Sequence, residues 1–164
     1  MSLVARGMSQ AVRRNHAIEH ATIAVLLGRL QKRTRIIGRA AQDGFYIYGD
    51  IPEQHIEDSA REALARLQRG ESHLAVSPLC GTNIVVTAVA TAIVSAVAIG
   101  GGNRLLKLPN AILATLAAVV ASRPLGSLIQ KYVTTSPEVD GMQIISVQPL
   151  REWTPNLHKV TTAP

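Results

Sequence analysis

"IVVTAVATAIVSAVAIG", residues 84–100, carries no charged side chain, and the charge-free stretch around it extends from Leu74 to Asn103. An α-helix rises about 1.5 Å per residue, so roughly 17–25 apolar residues cross the hydrocarbon core of a bilayer. This run lies at the lower end of that range, and a buried Ala/Val-rich helix of a soluble protein would read the same way. Transmembrane is the expectation adopted. Next comes "GGGNRLLKLPN" (100–110), a Gly-rich turn bearing Arg104 and Lys107. A second apolar stretch, "AILATLAAVVA" (111–121), then meets "SRPLG" (122–126). It either continues past Arg123 and Pro124 with a kink or ends there as a re-entrant or interfacial helix. Either version gives a helical hairpin, with Arg123 expected to be paired or at the interface, because an unpaired charge in hydrocarbon is costly.

The rest of the composition agrees with helices packed on small side chains. Of 164 residues 47% are hydrophobic but only 3% aromatic, with a single Phe and a single Trp. The single cysteine excludes an intrachain disulfide and fits a reducing compartment. The opening residues reach Arg13 and Arg14 before any apolar run, so no secretory signal is expected there. Lys and Arg number 17 against 11 Asp and Glu. The excess is concentrated before the first apolar segment, with few aromatics among it, so the positive-inside rule and anionic lipid account for it better than nucleic acid does. The expected partners are the bilayer and a membrane-protein partner or a second copy of the chain, with no nucleic acid. The soluble part is expected on the cytoplasmic side.

Around the hairpin the residues read as a small α+β domain. A helix is expected from about Ser9 to Leu30. "RIIGRAAQDGFYIYGD" (35–50) predicts two strands joined at Asp43-Gly44. A second helix, N-capped by Asp50 and carrying Ile56, Ala60, Ala63, Leu64 and Leu67 on one stripe, should end at Gly70. Short strands at "LAV" (74–76) and "GMQIISV" (141–147) would complete a sheet, and the tail from Arg151 should be loosely ordered, with Trp153 a membrane-interface anchor. The fold class is therefore α+β with a transmembrane helical hairpin, a small mixed sheet and two amphipathic helices lying on one side of the membrane. The expected divisions are 1–83, 84–133 and 134–164.

The chemistry concentrates in "NHAIEHATI" (15–23). On a helix His16 and His20 lie about 40° apart, close enough for both imidazoles to reach one ion, with Glu19 on the flank. Val12, Ile23, Leu27 and Leu30 continue that face, so the histidines are expected to point toward the core. There a divalent cation, most simply zinc, would satisfy two imidazoles and a carboxylate. A third ligand is needed. Cys80 in "SPLCGTN" is the first candidate, and Asn83 could donate a hydrogen bond to a zinc-bound oxyanion. A lone Cys also packs well as a small buried hydrophobe. His73, Glu138 and Asp140 are weaker candidates, each equally at home in a solvated loop or turn. Two ligands one helical turn apart favour a small ion over a planar macrocycle.

The H-x-x-E-H order resembles the metal helix of the inverzincin peptidases. That resemblance implies His16 and His20 as zinc ligands and Glu19 as the catalytic base activating water, hence a zinc-dependent hydrolase, peptidase-like, working near the membrane surface. A longer resemblance, carried by "NHAIEHATI", "GFYIYGD", "CGTN" and "RPLG…QKYVTT", is to an uncharacterised family of small bacterial membrane proteins with H-A-[LI]-E-H-A-T near the N-terminus. It implies a membrane location and two hydrophobic helices, and no established activity. The alternative to an enzyme is a structural or accessory subunit of a membrane complex, with His16, Glu19 and His20 as a hydrogen-bonded cluster.

Overall fold

The structure, a computed structural model, describes residues 8–30, 34–100, 104–150, 154 and 156–164. Two compact units emerge: Met1–Ser77 with Lys131–Pro164, and Pro78–Gln130.

In the first unit, helix α1 (Gln10–Arg29) starts at Ser9, whose Oγ accepts from the Val12 N–H at 3.3 Å and so satisfies one orphan donor of the first turn. Its buried stripe runs through Ile18, Ala21, Thr22, Val25 and Leu26. This corrects the expected face, because Leu27 is 39% exposed and Ile23 and Leu30 are only partly buried at the edge of the core. Helix α2 (Glu53–Gln68) packs on α1 through Ile56, Ala60, Ala63, Leu64 and Leu67. Alanines on both helices admit a close approach, and that selects the Ala17/Ala21 side of α1 over the bulkier Leu27 side. Gly70 ends the helix region at φ 91° as expected, but the N-cap is Pro52 without a side-chain bond, so Asp50 does not cap.

Strands β1 (Ile37–Ala41) and β2 (Gly44–Tyr48) form the expected hairpin. Ala41 pairs with Gly44, so Gln42 and Asp43 make the turn and Gly44 takes the positive φ of 142° as the first residue of β2. Lys159 holds the turn from outside: its Nζ donates to the Asp43 carboxylate and to Tyr46 Oη at 3.3 Å. That hydrogen bond holds the Asp43 carboxyl below its ordinary range and Lys159 above its own.

Two sequence expectations give way. "LAV" is not a strand; Ser72–Ala75 form a 3-10 turn. The tail is not loose, since Leu157–Ala163 form strand β4, which lies between β2 and β3 (Gln143–Pro149) in the order β1-β2-β4-β3. Every pairing is antiparallel, so the sheet is not mixed. The burial of β4 alternates strictly, with His158, Val160 and Thr162 inward, but two of those three are polar and hide the pattern from a hydropathy reading. Trp153 lies outside the described residues. Gly38, Ile47 and His158 form one cross-strand row, and Ala40, Phe45, Val160 and Val147 the next. Both rows belong to the face that α1 and α2 cover, giving a two-layer domain with Phe45 and Ile47 at its centre.

The second unit is a helical hairpin of α3 (Gly81–Ile99) and α4 (Arg104–Ile129). The chain continues as a π-helical turn to Thr134. Both helices are long and apolar enough to cross a membrane. α3 buries none of its residues, and Ile84, Val85, Val89, Ile93 and Val97 stand exposed along it, as Leu113, Leu116 and Val120 do on α4. The second apolar stretch does not stop at "SRPLG", for Arg123 and Pro124 both lie within α4. Two hydroxyl pairs join the helices, Thr87 with Ser122 at 2.7 Å and Ser95 with Thr115 at 2.8 Å. Hydroxyl pairs of this kind let two apolar helices meet through hydrogen bonds.

Candidate metal centre

Position 15 organises the helix before the histidines come into play. Asn15 is fully buried, its Nδ2 donating to the carbonyls of Ala41 and Gln42 at 2.9 and 3.1 Å and its Oδ1 accepting from Thr162 Oγ1 at 2.7 Å. One amide thus ties α1 to the β1–β2 turn and to β4. A buried amide must find partners for both ends, and these three contacts supply them. Sequence reasoning passed over it, although a polar residue flanked by Ile18- and Ala17-type core positions was the available signal.

With α1 so fixed, the two imidazoles meet backbone carbonyls. His16, partly buried, has Nδ1 3.0 Å from the Thr134 carbonyl, and His20, only 3% exposed, has Nδ1 2.8 Å from the Ala75 carbonyl. A carbonyl can only accept, so in the neutral ring Nδ1 carries the hydrogen and Nε2 keeps the lone pair. Histidines that bind metals are commonly oriented in this way, one ring nitrogen held by a backbone acceptor and the other left to the ion. The Nε2 of His20 is buried with no hydrogen-bond partner among the described residues. The ring centroids lie 4.3 Å apart at 59° between planes, so the imidazoles are tilted neighbours rather than stacked ones.

Further contacts strap residues 132–136 to the first half of α1. Arg13 donates to the carbonyls of Tyr132 and Thr135 at 3.2 and 3.0 Å, Ser136 N–H donates to the Arg13 carbonyl, and Gln10 donates to Ser136 Oγ at 3.2 Å. Beside the two carbonyl anchors lies a cavity of about 320 Å³, lined among others by Ser72, His73, Ala75, Lys131, Tyr132 and Thr135. His73 is exposed on its wall.

Glu19 is buried at 4% exposure, but its carboxylate faces β1, where a Cβ built on Gly38 would lie 2.1 Å from Oε1. The bare backbone of Gly38 is what admits it. Cys80 belongs to the second unit, where it is buried, caps α3 and accepts from the Thr82 N–H at 3.4 Å. Asn83 uses its amide within the hairpin, donating to the Pro78 carbonyl at 3.0 Å and accepting from Gln130 Nε2 at 2.8 Å. Glu138 and Asp140 are exposed in the turn before β3. Arg123 is exposed on α4.

An uncharacterized protein of Picosynechococcus sp. is 32% identical over 141 residues, covering 76% of this chain and 66% of its own length, so the chain spans just under two thirds of that relative. No solved structure matches. The family model described as Domain of unknown function (DUF6391) matches residues 11–147, which include the histidine helix from its second residue, the hairpin and β1 to β3 up to Val147, and the chain belongs to that family.

Proposed function

We propose that this chain is a membrane-embedded metal-binding protein, in which His16 and His20 hold one divalent cation, zinc by the character of the donors. The observation that carries the reading is the pair of Nδ1-to-carbonyl contacts, which set the tautomer of both rings, together with the Nε2 of His20, buried without a hydrogen-bond partner among the described residues. An imidazole acceptor sealed from water costs free energy that a metal would recover. Cys80 is proposed as third ligand on chemical grounds and on tether length, since it follows the His20 anchor Ala75 by five residues and so stays within about 18 Å of it. The hairpin spans the bilayer, with the α+β unit on the cytoplasmic side. Its exposed Val, Ile and Leu side chains support insertion, because a water-soluble helix pair of this composition would hide them.

Hydrolysis, with Glu19 activating a metal-bound water, is the second reading. The H-x-x-E-H order and the cavity beside the histidine anchors favour it. The seat of Glu19 against Gly38 turns the carboxylate to β1, so metal binding in an accessory or structural role is the reading preferred.

Metal analysis by plasma mass spectrometry, on detergent-purified protein without a histidine tag, tests the proposal. The wild type should carry about one zinc per chain. His16→Ala and His20→Ala should remove it, Cys80→Ser should weaken it and Glu19→Gln should retain it. A wild type that stays metal-free after zinc supplementation overturns the proposal. Metal-dependent cleavage of a peptide library that disappears in Glu19→Gln would establish hydrolysis instead.

A further inference from the structure

In the second unit a cavity of about 650 Å³ opens along the α3–α4 hairpin, lined by Pro78, Asn83, Ile84, Thr87, Ala88, Arg123 and Ser127. It combines apolar walls with one cation. Arg123 makes no ion pair and no side-chain hydrogen bond among the described residues; only its carbonyl is engaged, by Ser127 Oγ at 3.3 Å. Nor does the unit offer a counter-ion, because Pro78–Gln130 contains three basic residues and no aspartate or glutamate. A guanidinium on an apolar helix is tolerated when it meets an anion or reaches the interface, and here the anion must come from outside the hairpin.

The level of Arg123 along the hairpin identifies that anion. Its neighbour Ser122 is bonded to Thr87, which follows Gly81 by six residues, so Arg123 lies about 9 Å from the start of α3. A side chain of that length, in a groove that also touches Pro78 and Asn83, reaches back to the headgroup level while the apolar walls continue deeper along Ile84 and Ala88. Basic pockets between membrane helices take anionic lipid headgroups through this combination of a fork-shaped donor and apolar surface.

We propose that this groove is a binding site for an anionic phospholipid, with Arg123 on the phosphate and an acyl chain along Ile84 and Ala88. The proposal rests on the membrane reading of the hairpin and is independent of the metal centre.

Its test places the full chain in nanodiscs of phosphatidylcholine with a minor fraction of phosphatidylglycerol and reads the lipids retained on release by native mass spectrometry. The wild type should retain phosphatidylglycerol over phosphatidylcholine by on the order of tenfold relative to the bulk mixture. Arg123→Gln should bring the ratio to that of the bulk, Arg123→Lys should give an intermediate ratio and Ala88→Leu, which narrows the groove without touching charge, should lower it. Lys107→Gln, at the opposite end of α4, should leave it unchanged. Circular dichroism of Arg123→Gln separates a lost site from a lost fold, and Arg123→Lys and Ala88→Leu test the site even if that variant does not fold. A wild type without preference, an undiminished preference in Arg123→Gln, or displacement of the lipid by millimolar inorganic phosphate overturns the proposal. A wild type recovered as a soluble monomer without detergent overturns the membrane reading itself, a result visible before any lipid is weighed.

Discussion

Gly38 of β1 holds open the space that the Glu19 carboxylate of α1 fills: a Cβ at residue 38 would sit 2.1 Å from Oε1 and 2.5 Å from Cδ. The missing side chain on the strand and the buried acid on the helix are therefore one feature. Gly38→Ala is expected to destabilise the α+β unit by about 1–3 kcal/mol, because the displaced atoms belong to a side chain with little room to move. Glu19→Ala should relieve the clash, so the double variant should be more stable than the sum of the singles by about 0.5–3 kcal/mol. Thermal unfolding followed by circular dichroism decides it, and strict additivity would refute the coupling.

Asn15 and Thr162 share a buried hydrogen bond 147 residues apart in sequence. Asn15→Ala leaves the Ala41 and Gln42 carbonyls without their donor and should cost about 1–3 kcal/mol. Thr162→Val removes one contact and keeps the shape, so it should cost less. Adding it to Asn15→Ala should cost almost nothing more, since the partner oxygen has already gone.

The corrected face of α1 can be read from two core probes. Phe45→Ala empties the centre of the sheet face and should cost about 3–5 kcal/mol. Leu27→Ala, at a residue 39% exposed, should stay within about 0.5 kcal/mol. A large loss at Leu27 would restore the histidine-facing stripe expected from periodicity.

The Asp43–Lys159 pair gives a pH signature of known sign. The hydrogen bond to Lys159 lowers the Asp43 carboxyl, so its stabilisation is present above the unfolded value near pH ~4 and is lost as pH falls through the folded one. The hydrogen bond to Asp43 raises Lys159, so its share is present below about pH 10 and is lost as pH rises further. The Asp43 carboxylate is largely solvated, so Asp43→Asn should cost at most about 1 kcal/mol at neutral pH and should flatten the acid limb of the unfolding curve.

Val89, 53% exposed at mid-length of α3, probes insertion. A charge at the centre of a spanning helix costs roughly 2.5–3.5 kcal/mol on insertion scales, so Val89→Arg should shift the chain from the membrane to the aggregated fraction in carbonate extraction. Unchanged partitioning would mean that α3 does not face lipid.

The sequence by itself determined the elements whose physics is local. The uncharged run at 84–100, the Ser9 start of α1, the apolar stripe of α2 and the strand-forming Phe45 to Tyr48 each announce themselves within one window, because periodicity and turn chemistry act over a few residues. The spacing of His16 and His20 was legible for the same reason. What only the tertiary structure decided depends on partners far along the chain. β4 is a central strand because His158 and Thr162 find burial between β2 and β3, where a hydropathy reading sees a polar tail. The tautomer of each histidine is set by the carbonyls of Thr134 and Ala75, which lie 118 and 55 residues away. Glu19 faces β1 because residue 38 lacks a Cβ, a contact that no spacing within the helix encodes.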